Sequence, residues 1–350
     1  MPRARDRRPT MRDVATAAGV GVMTVSRVIN GDVRVRPHTV RRVNLAIEEL
    51  GYQRNDMASR LRRGDQSTAL IGLLVDDIAN PFYACLAGAV EEQVRDRGYT
   101  LLFGSAREDP ARERELLSAF TARRVDGLLV VPCGDETELC RTAAAAGASM
   151  VFVDRPAHGL TVDTVLVDGR AAARQAVRHL ITHGHRRIGY LGDTATIWTA
   201  RERLLGYREA MAEAGIEVDE VLIAQGLRQM YTAEGAAGAM LGLAAPATAL
   251  FAANDVITLG VFRAIRRAPG PVALVGFDDF ALADQLDPPV TVVAQDPVLM
   301  GEVAARLLFD RMGGADSAAR EVVLPTRLIV RGSGEIPPHS SMTVRVEREP

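Results

Sequence analysis

Apolar positions change their rhythm along the chain. Between residues 10 and 51 they recur at helical spacing in short stretches broken by glycine. Thr10 and Asp13 make a capping-box-like start, predicting a helix from about Met11 to Ala18 that Gly19 ends. Val25, Val28 and Ile29 fall at i, i+3 and i+4, so a second helix runs from Val22 to Asn30. That stripe can pack on Val14 and Ala15, while Val22, Met23, Ser26, Arg27 and Asn30 take the other face. Asn30-Gly31 stops this helix. Pro37 suits the first turn of a third, with Val40, Val43, Ile47 and Leu50 on one stripe and Gly51 at its end.

From residue 70 the pattern becomes short apolar runs separated by amphipathic helices. The predicted strands are Leu70–Val75, Thr100–Phe103, Gly127–Val131, Met150–Val153, Thr164–Val167, Ile188–Leu191, Ala249–Ala252, Val272–Val275 and Val290–Val293. Helices such as Ala84–Arg97, Glu113–Ala122, Ala172–Thr182 and Arg201–Ala214 lie between them. Continuous apolar strands alternating with helices imply parallel sheets covered on both faces. So many strands over this length suggest two doubly wound lobes. Ligands bind at the carboxyl ends of such strands, so the expected site is a cleft between the lobes.

Composition agrees and adds one asymmetry. At 350 residues, 47% apolar and 25% charged, the chain is a soluble globular protein of two or three domains. No apolar run approaches a bilayer span, and no apolar segment follows the Arg-rich start as in a secretory signal. Cys85, Cys133 and Cys140 are too few and scattered for a disulfide framework, which points to a reducing cytoplasm. Residues 1–66 carry 14 Arg against 7 acids, whereas the remainder carries 28 Arg against 37 acids. A basic head on an acidic body is the footprint of a nucleic-acid-binding module fused to something else. There is no lysine. A solvated polar face is the bland alternative for the second helix, but the tight helix-turn-helix spacing and the local charge favour DNA.

The residues Thr10-Met11-Arg12-Asp13-Val14-Ala15, Ala18-Gly19-Val20 and Thr24-Val25-Ser26-Arg27-Val28-Ile29-Asn30-Gly31 resemble the DNA-binding head of the LacI/GalR family of bacterial repressors. Glu48-Glu49-Leu50-Gly51-Tyr52 extends the match, which continues more loosely to about Arg331. The resemblance implies that Val22, Met23 and Arg27 read bases. Arg27 can bond a guanine edge through two N–H groups, while Val22 and Met23 suit apolar contact such as a thymine methyl. Thr10, Thr24, Ser26 and Asn30 match positions that hold the backbone and set register. Gly21 and Arg36 stand where the family has Ser, so two helix caps are missing, each worth about 1 kcal/mol. Asn55-x-x-Ala58-x-x-Leu61 resembles the hinge helix, in which Leu61 wedges into the minor groove beside Asn55. A plain linker is the alternative, which Gly64–Ser67 supports for the C-terminal end, and Arg54 replaces a common Pro.

The same resemblance implies a periplasmic-binding-protein-like body. Asn80, Asp154, Arg155, Arg201, Asn254, Asp278 and Gln295 would bond ligand hydroxyls, with Phe82 and Tyr83 stacking on a ring. Each alone is more often a cap or a turn residue. Together they suit a neutral polyol such as a mono- or oligosaccharide. Trp198 belongs either to the cleft or to a loop or core. The third strand ends Val130-Val131-Pro132, without the polar group that pentose binders place there.

No dinucleotide fingerprint, phosphate loop or nucleophile elbow occurs, so no enzyme is expected. His183-Gly184-His185 reads as a structural turn, and no metal or cofactor is expected. The expected architecture is α/β: an all-α helix-turn-helix head (1–54), a hinge helix and linker (55–66), a two-lobed effector domain (67–331) and a flexible tail (332–350). The expected function is a cytoplasmic homodimeric regulator, a repressor, on a pseudopalindromic double-stranded DNA operator, controlled by a sugar and without membrane contact. A sugar-binding protein without a DNA role, an enzyme on the same scaffold, and a ligand acting as corepressor are the alternatives.

Overall fold

The computed structural model describes residues 9–29, 31–52, 67–133, 137–145, 147–156, 159–315 and 317–338. Two compact units divide between Thr68 and Ala69.

In the first unit, α1 (Met11–Ala17), α2 (Val22–Ile29) and α3 (Pro37–Leu50) pack around Val14, Ala15, Ala18, Val25, Val43 and Ala46. The capping box forms: the Asp13 N–H donates to Thr10 Oγ1 at 3.4 Å, and the Thr10 N–H donates to Asp13 Oδ2 at 2.7 Å. Arg36 supplies no side-chain cap to α3, whereas Gly51 closes it in the left-handed region at φ 59°.

In the second unit, the first sheet runs β2 (Thr100–Ser105), β1 (Leu70–Val75), β3 (Gly127–Val130), β4 (Ser149–Val153), β5 (Asp163–Val167) and β11 (Glu321–Leu324), all parallel. The second runs β7 (Ile223–Ala224), β6 (Ile188–Leu191), β8 (Ala249–Ala252), β9 (Ala273–Phe277), β10 (Thr291–Ala294) and β12 (Arg327–Ile329), with only β12 antiparallel. Central strands such as β3, β4, β6 and β8 are almost wholly buried because helices cover both faces. On the first sheet, α4 (Pro81–Asp96) and α11 (Pro297–Met312) cover one face, α5 (Pro110–Ala122) and α6 (Thr137–Ala145) the other. On the second, α7 (Gly169–Thr182) and α8 (Trp198–Glu213) oppose α9 (Met230–Leu241) and α10 (Asp255–Ile265). Gly206 lets α8 approach α7 so closely that a Cβ there would collide with the Arg170 carbonyl.

The chain passes between lobes three times: after β5, after β10 and after β11. All nine predicted strands are present; β7, β11 and β12 are additional.

The expected flexible tail (332–350) is corrected over its first residues, and 339–350 lie outside the described residues. Residues 332–338 pack on the second lobe. Ser333 Oγ donates to the Leu274 carbonyl at 2.6 Å and accepts from the Thr291 N–H at 2.9 Å. Glu335 accepts from Thr291 Oγ1 at 3.0 Å and pairs with His179. His185, wholly buried, bonds both Thr248 Oγ1 at 2.9 Å and the Ile336 carbonyl at 2.8 Å. Its neighbour Gly184 turns with φ 97°, so the His183-Gly184-His185 segment anchors the C-terminal strap.

Candidate DNA-reading face and effector cleft

On α2, Val25 is fully buried, and this fixes which residues face outward. Met23 is 70% exposed, Val22 41%, and Arg27 also faces solvent. Thr24 and Ser26 are half-buried beside them. Asp32 is occupied by Arg34 Nε and Nη2 at 2.9 and 2.8 Å, bonds that hold its carboxyl at about 2. Among the described residues no hydrogen bond engages the Arg27 guanidinium, so its fork remains available. Thr10 Oγ1 donates to Asp13 Oδ2 at 2.6 Å and so serves the cap. Asn30, Asn55 and Leu61, with the rest of the expected hinge, lie outside the described residues.

In the second unit, strand ends of both sheets converge on a cavity of about 60 Å³. Its lining includes Asn80, Phe82, Tyr83, Asp154, Arg155, Asn254, Asp278 and Gln295. Asn80 and Asn254 are helix N-caps: Asn80 Oδ1 accepts from the Phe82 N–H, and Asn254 Oδ1 from the Ile257 N–H, each at 2.8 Å. Asn80 Nδ2 also reaches Asp255 Oδ1 of the opposite lobe at 3.4 Å. Phe82 and Tyr83 meet edge to face with centroids 5.1 Å apart. The Tyr83 hydroxyl donates to Asp154 Oδ2 at 3.0 Å. Burial raises the pKa of both Tyr83 and Asp154. Arg155 Nη1 donates to the Pro132 carbonyl at 2.8 Å, and Nη2 to Glu108. The polar group missing from the third strand end is therefore a main-chain carbonyl.

Arg201 requires correction. It is exposed, with Nε 3.7 Å from Glu202 Oε1. Two residues along a helix are a rotation of about 200°, so Arg203, not Arg201, faces the cleft. Arg203 Nη1 donates to the Ala253 carbonyl at 2.6 Å, and its guanidinium lies 3.7 Å above the Phe277 ring centroid. Asp278 Oδ2 is 3.7 Å away. Burial raises the Asp278 pKa to about 7 against the opposing pull of Arg203. Gln295 Nε2 donates to Asp278. Trp198 is half-buried and not among the lining residues.

Asp76, Asp193, Ile197, Thr199 and Ala200 also line the cavity and were not anticipated. Asp76 directly follows β1 and Asp193 closely follows β6, so the strand-end logic that selects Asn254 would have found them. Three buried side-chain atoms here lack a hydrogen-bond partner among the described residues: Arg155 Nε, which lies 3.8 Å from Asp154 Oδ2, Arg203 Nε and Gln295 Oε1.

Residues 10–55 match the model of bacterial regulatory proteins of the lacI family, and residues 177–334 match a periplasmic binding protein-like domain. The HTH-type transcriptional regulator CelR of Thermobifida fusca is 38% identical over 343 residues, 94% of this chain and 99% of the relative. The chain belongs to the LacI family. It is a DNA-binding transcriptional regulator, and its relatives are regulators, not enzymes. Among solved structures, the CelR–cellobiose complex is 36% identical with a TM-score of 0.70, covering 93% of this chain and all of that one. The lac repressor dimer bound to operator and the anti-inducer ONPF is 25% identical with a TM-score of 0.78, covering 94% of this chain and 99% of that one. Among the described residues of this LacI-family chain, no helix is long and apolar enough to cross a membrane.

Proposed function

We propose that this regulator is a repressor that binds a pseudopalindromic operator as a homodimer in the cytoplasm and is released by a sugar held between its lobes. The observation carrying the sugar reading is the set of unpartnered buried atoms around the aromatic pair. Arg155 Nε and Arg203 Nε need acceptors, and Gln295 Oε1 needs a donor. A hydroxyl is both at once. The cellobiose held by CelR supports the same class. One reading head per half-site implies two-fold symmetry, and the lac repressor was solved as a dimer on its operator.

The cavity is smaller than an ordinary ligand pocket of about 300 Å³ or more, so the lobes must part to admit an effector. The three inter-lobe crossings are the natural hinges. Ligand then changes operator affinity by a coupling of about 1–3 kcal/mol, or roughly 5–150-fold.

Thermal-shift screening of neutral sugars and nucleosides, starting with cellobiose, tests the ligand class. A sugar must raise Tm progressively with its concentration. Stabilisation by nucleosides alone sinks the sugar reading. Gel shifts with the hit then fix its sign: weakened operator binding is induction, and strengthened binding makes the ligand a corepressor.

A further inference from the structure

Two carboxylates face one another across the cleft from different lobes. Asp76 follows β1 of the first sheet and Asp193 follows β6 of the second, with side chains 14% and 16% exposed. Arg228, on the second lobe, spans them. Its Nη2 lies 3.3 Å from Asp76 Oδ2, and its Nε 3.7 Å from Asp193 Oδ2.

We propose that Asp76 and Asp193 are specificity-determining residues that form a charge filter, admitting neutral sugars and turning away sugar phosphates and sugar acids. This rests on the reading of the cleft as a sugar site.

The cations of the cleft are already committed. Arg155 is held by the Pro132 carbonyl and Glu108, Arg203 by the Ala253 carbonyl and the Phe277 ring, and Arg228 by Asp76 and Asp193. Against these three guanidiniums stand six carboxyl groups: Asp76, Glu108, Asp154, Asp193, Asp255 and Asp278. Arg155 and Arg203 each keep only an Nε–H open, and an entering anion meets several acids within a poorly solvated space, where like charges repel strongly. The acids are crowded before any ligand arrives. Burial, and next the neighbouring Glu108, raise the Asp76 pKa to about 6. A hydroxyl array adds no charge and can donate to these carboxylates. It can also donate to the unpartnered Gln295 Oε1, which a phosphate dianion cannot.

The test is calorimetry on the full-length protein with matched probes: cellobiose, glucose, glucose 6-phosphate and gluconate. Wild type should bind the better neutral sugar at least about 100-fold more tightly than either anion. The isosteric pair Asp76→Asn and Asp193→Asn leaves Arg228 unpaired, and should narrow that ratio at least about tenfold by improving the anions. Circular dichroism checks that the variant is folded; if it is not, Asp193→Asn alone carries the same expectation with a smaller shift. An anion bound as tightly as its neutral partner overturns the filter and leaves the sugar reading standing, as does a ratio that neither substitution moves. Failure of every sugar, neutral ones included, overturns the sugar reading itself and the filter with it.

Discussion

Asp154 and Asp278 hold equivalent places in two different sheets. Each ends the fourth strand of its lobe's parallel series, each has φ 68°, and each donates its N–H to the next strand, at Val165 (2.9 Å) and Val293 (2.8 Å). The left-handed backbone turns both carboxylates toward the cleft, a conformation that Asp and Asn tolerate better than most residues.

That geometry makes Asp278→Asn a conservative probe. The folded pKa of Asp278 is about 7 against 3.8 for the unfolded group. Between those values the folded protein keeps a proton that the unfolded chain has lost. Its contribution to stability is therefore complete below about pH 4 and falls until the pH passes 7. Asn does not ionise. The Tm of Asp278→Asn relative to wild type should rise from pH 5 to pH 8, read by differential scanning fluorimetry. Parallel curves would contradict the assignment.

Arg203→Met should weaken effector binding by about 30-fold or more, since it removes a buried, charge-bearing group from the cleft, typically worth over 2 kcal/mol. Arg201→Ala should stay within about threefold, as expected for an exposed residue. Titration of both variants with the sugar found by screening decides between them. The reverse order would restore Arg201 to the cleft.

Arg27→Ala should reduce operator affinity by roughly 10–100-fold and relax preference at a single guanine. Gel shifts against single-base operator variants read both effects. Uniform weakening across all variants would make Arg27 a backbone contact.

Asp163 is 1% exposed and bonded by Arg311 Nη2 at 2.7 Å, Arg320 Nη2 at 3.0 Å and the Arg320 N–H at 2.7 Å. Burial opposes its ionisation, but these bonds outweigh burial and hold the carboxyl at about 2. Asp163→Ala removes the carboxylate that Arg311 and Arg320 share, while Arg320 keeps Asp310, and should cost about 2–3 kcal/mol in urea unfolding at neutral pH. The carboxylate's contribution is present above about pH 4 and disappears as pH falls toward 2, so the gap between variant and wild type should close in acid.

The sequence revealed the interior strands because burial on both faces leaves unbroken apolar runs, as in Leu128–Val130 and Leu250–Ala252. It showed the edge strand β2 but concealed the other three edges. Glu321–Leu324 alternates because one face meets solvent, Ile223–Ala224 is only two residues long, and Arg327–Ile329 borders the antiparallel edge. Strand-end polarity located most of the cleft. It missed Asp76 and Asp193, each of which follows a recognised strand. Arg201 and Arg203 differ in helix phase. Ala200, Tyr207 and Ala210 mark the buried stripe of α8, and Arg203 lies on it while Arg201 does not. The strap at 332–338 was obscured by its Gly, Ser and Pro content. Its order comes from partners far away in sequence, such as Leu274 and Thr291.

The three crossings mean that neither lobe is a continuous stretch of chain. The first lobe draws Met300, Val303, Leu307 and Leu308 into its core from α11, well after the second lobe's parallel strands have been made. A polypeptide emerging from the ribosome has every residue of the three-helix core by Tyr52, yet neither lobe is finished until near the end of translation. A chain interrupted before Pro297 would thus carry α1, α2 and α3 with their core and no finished lobe.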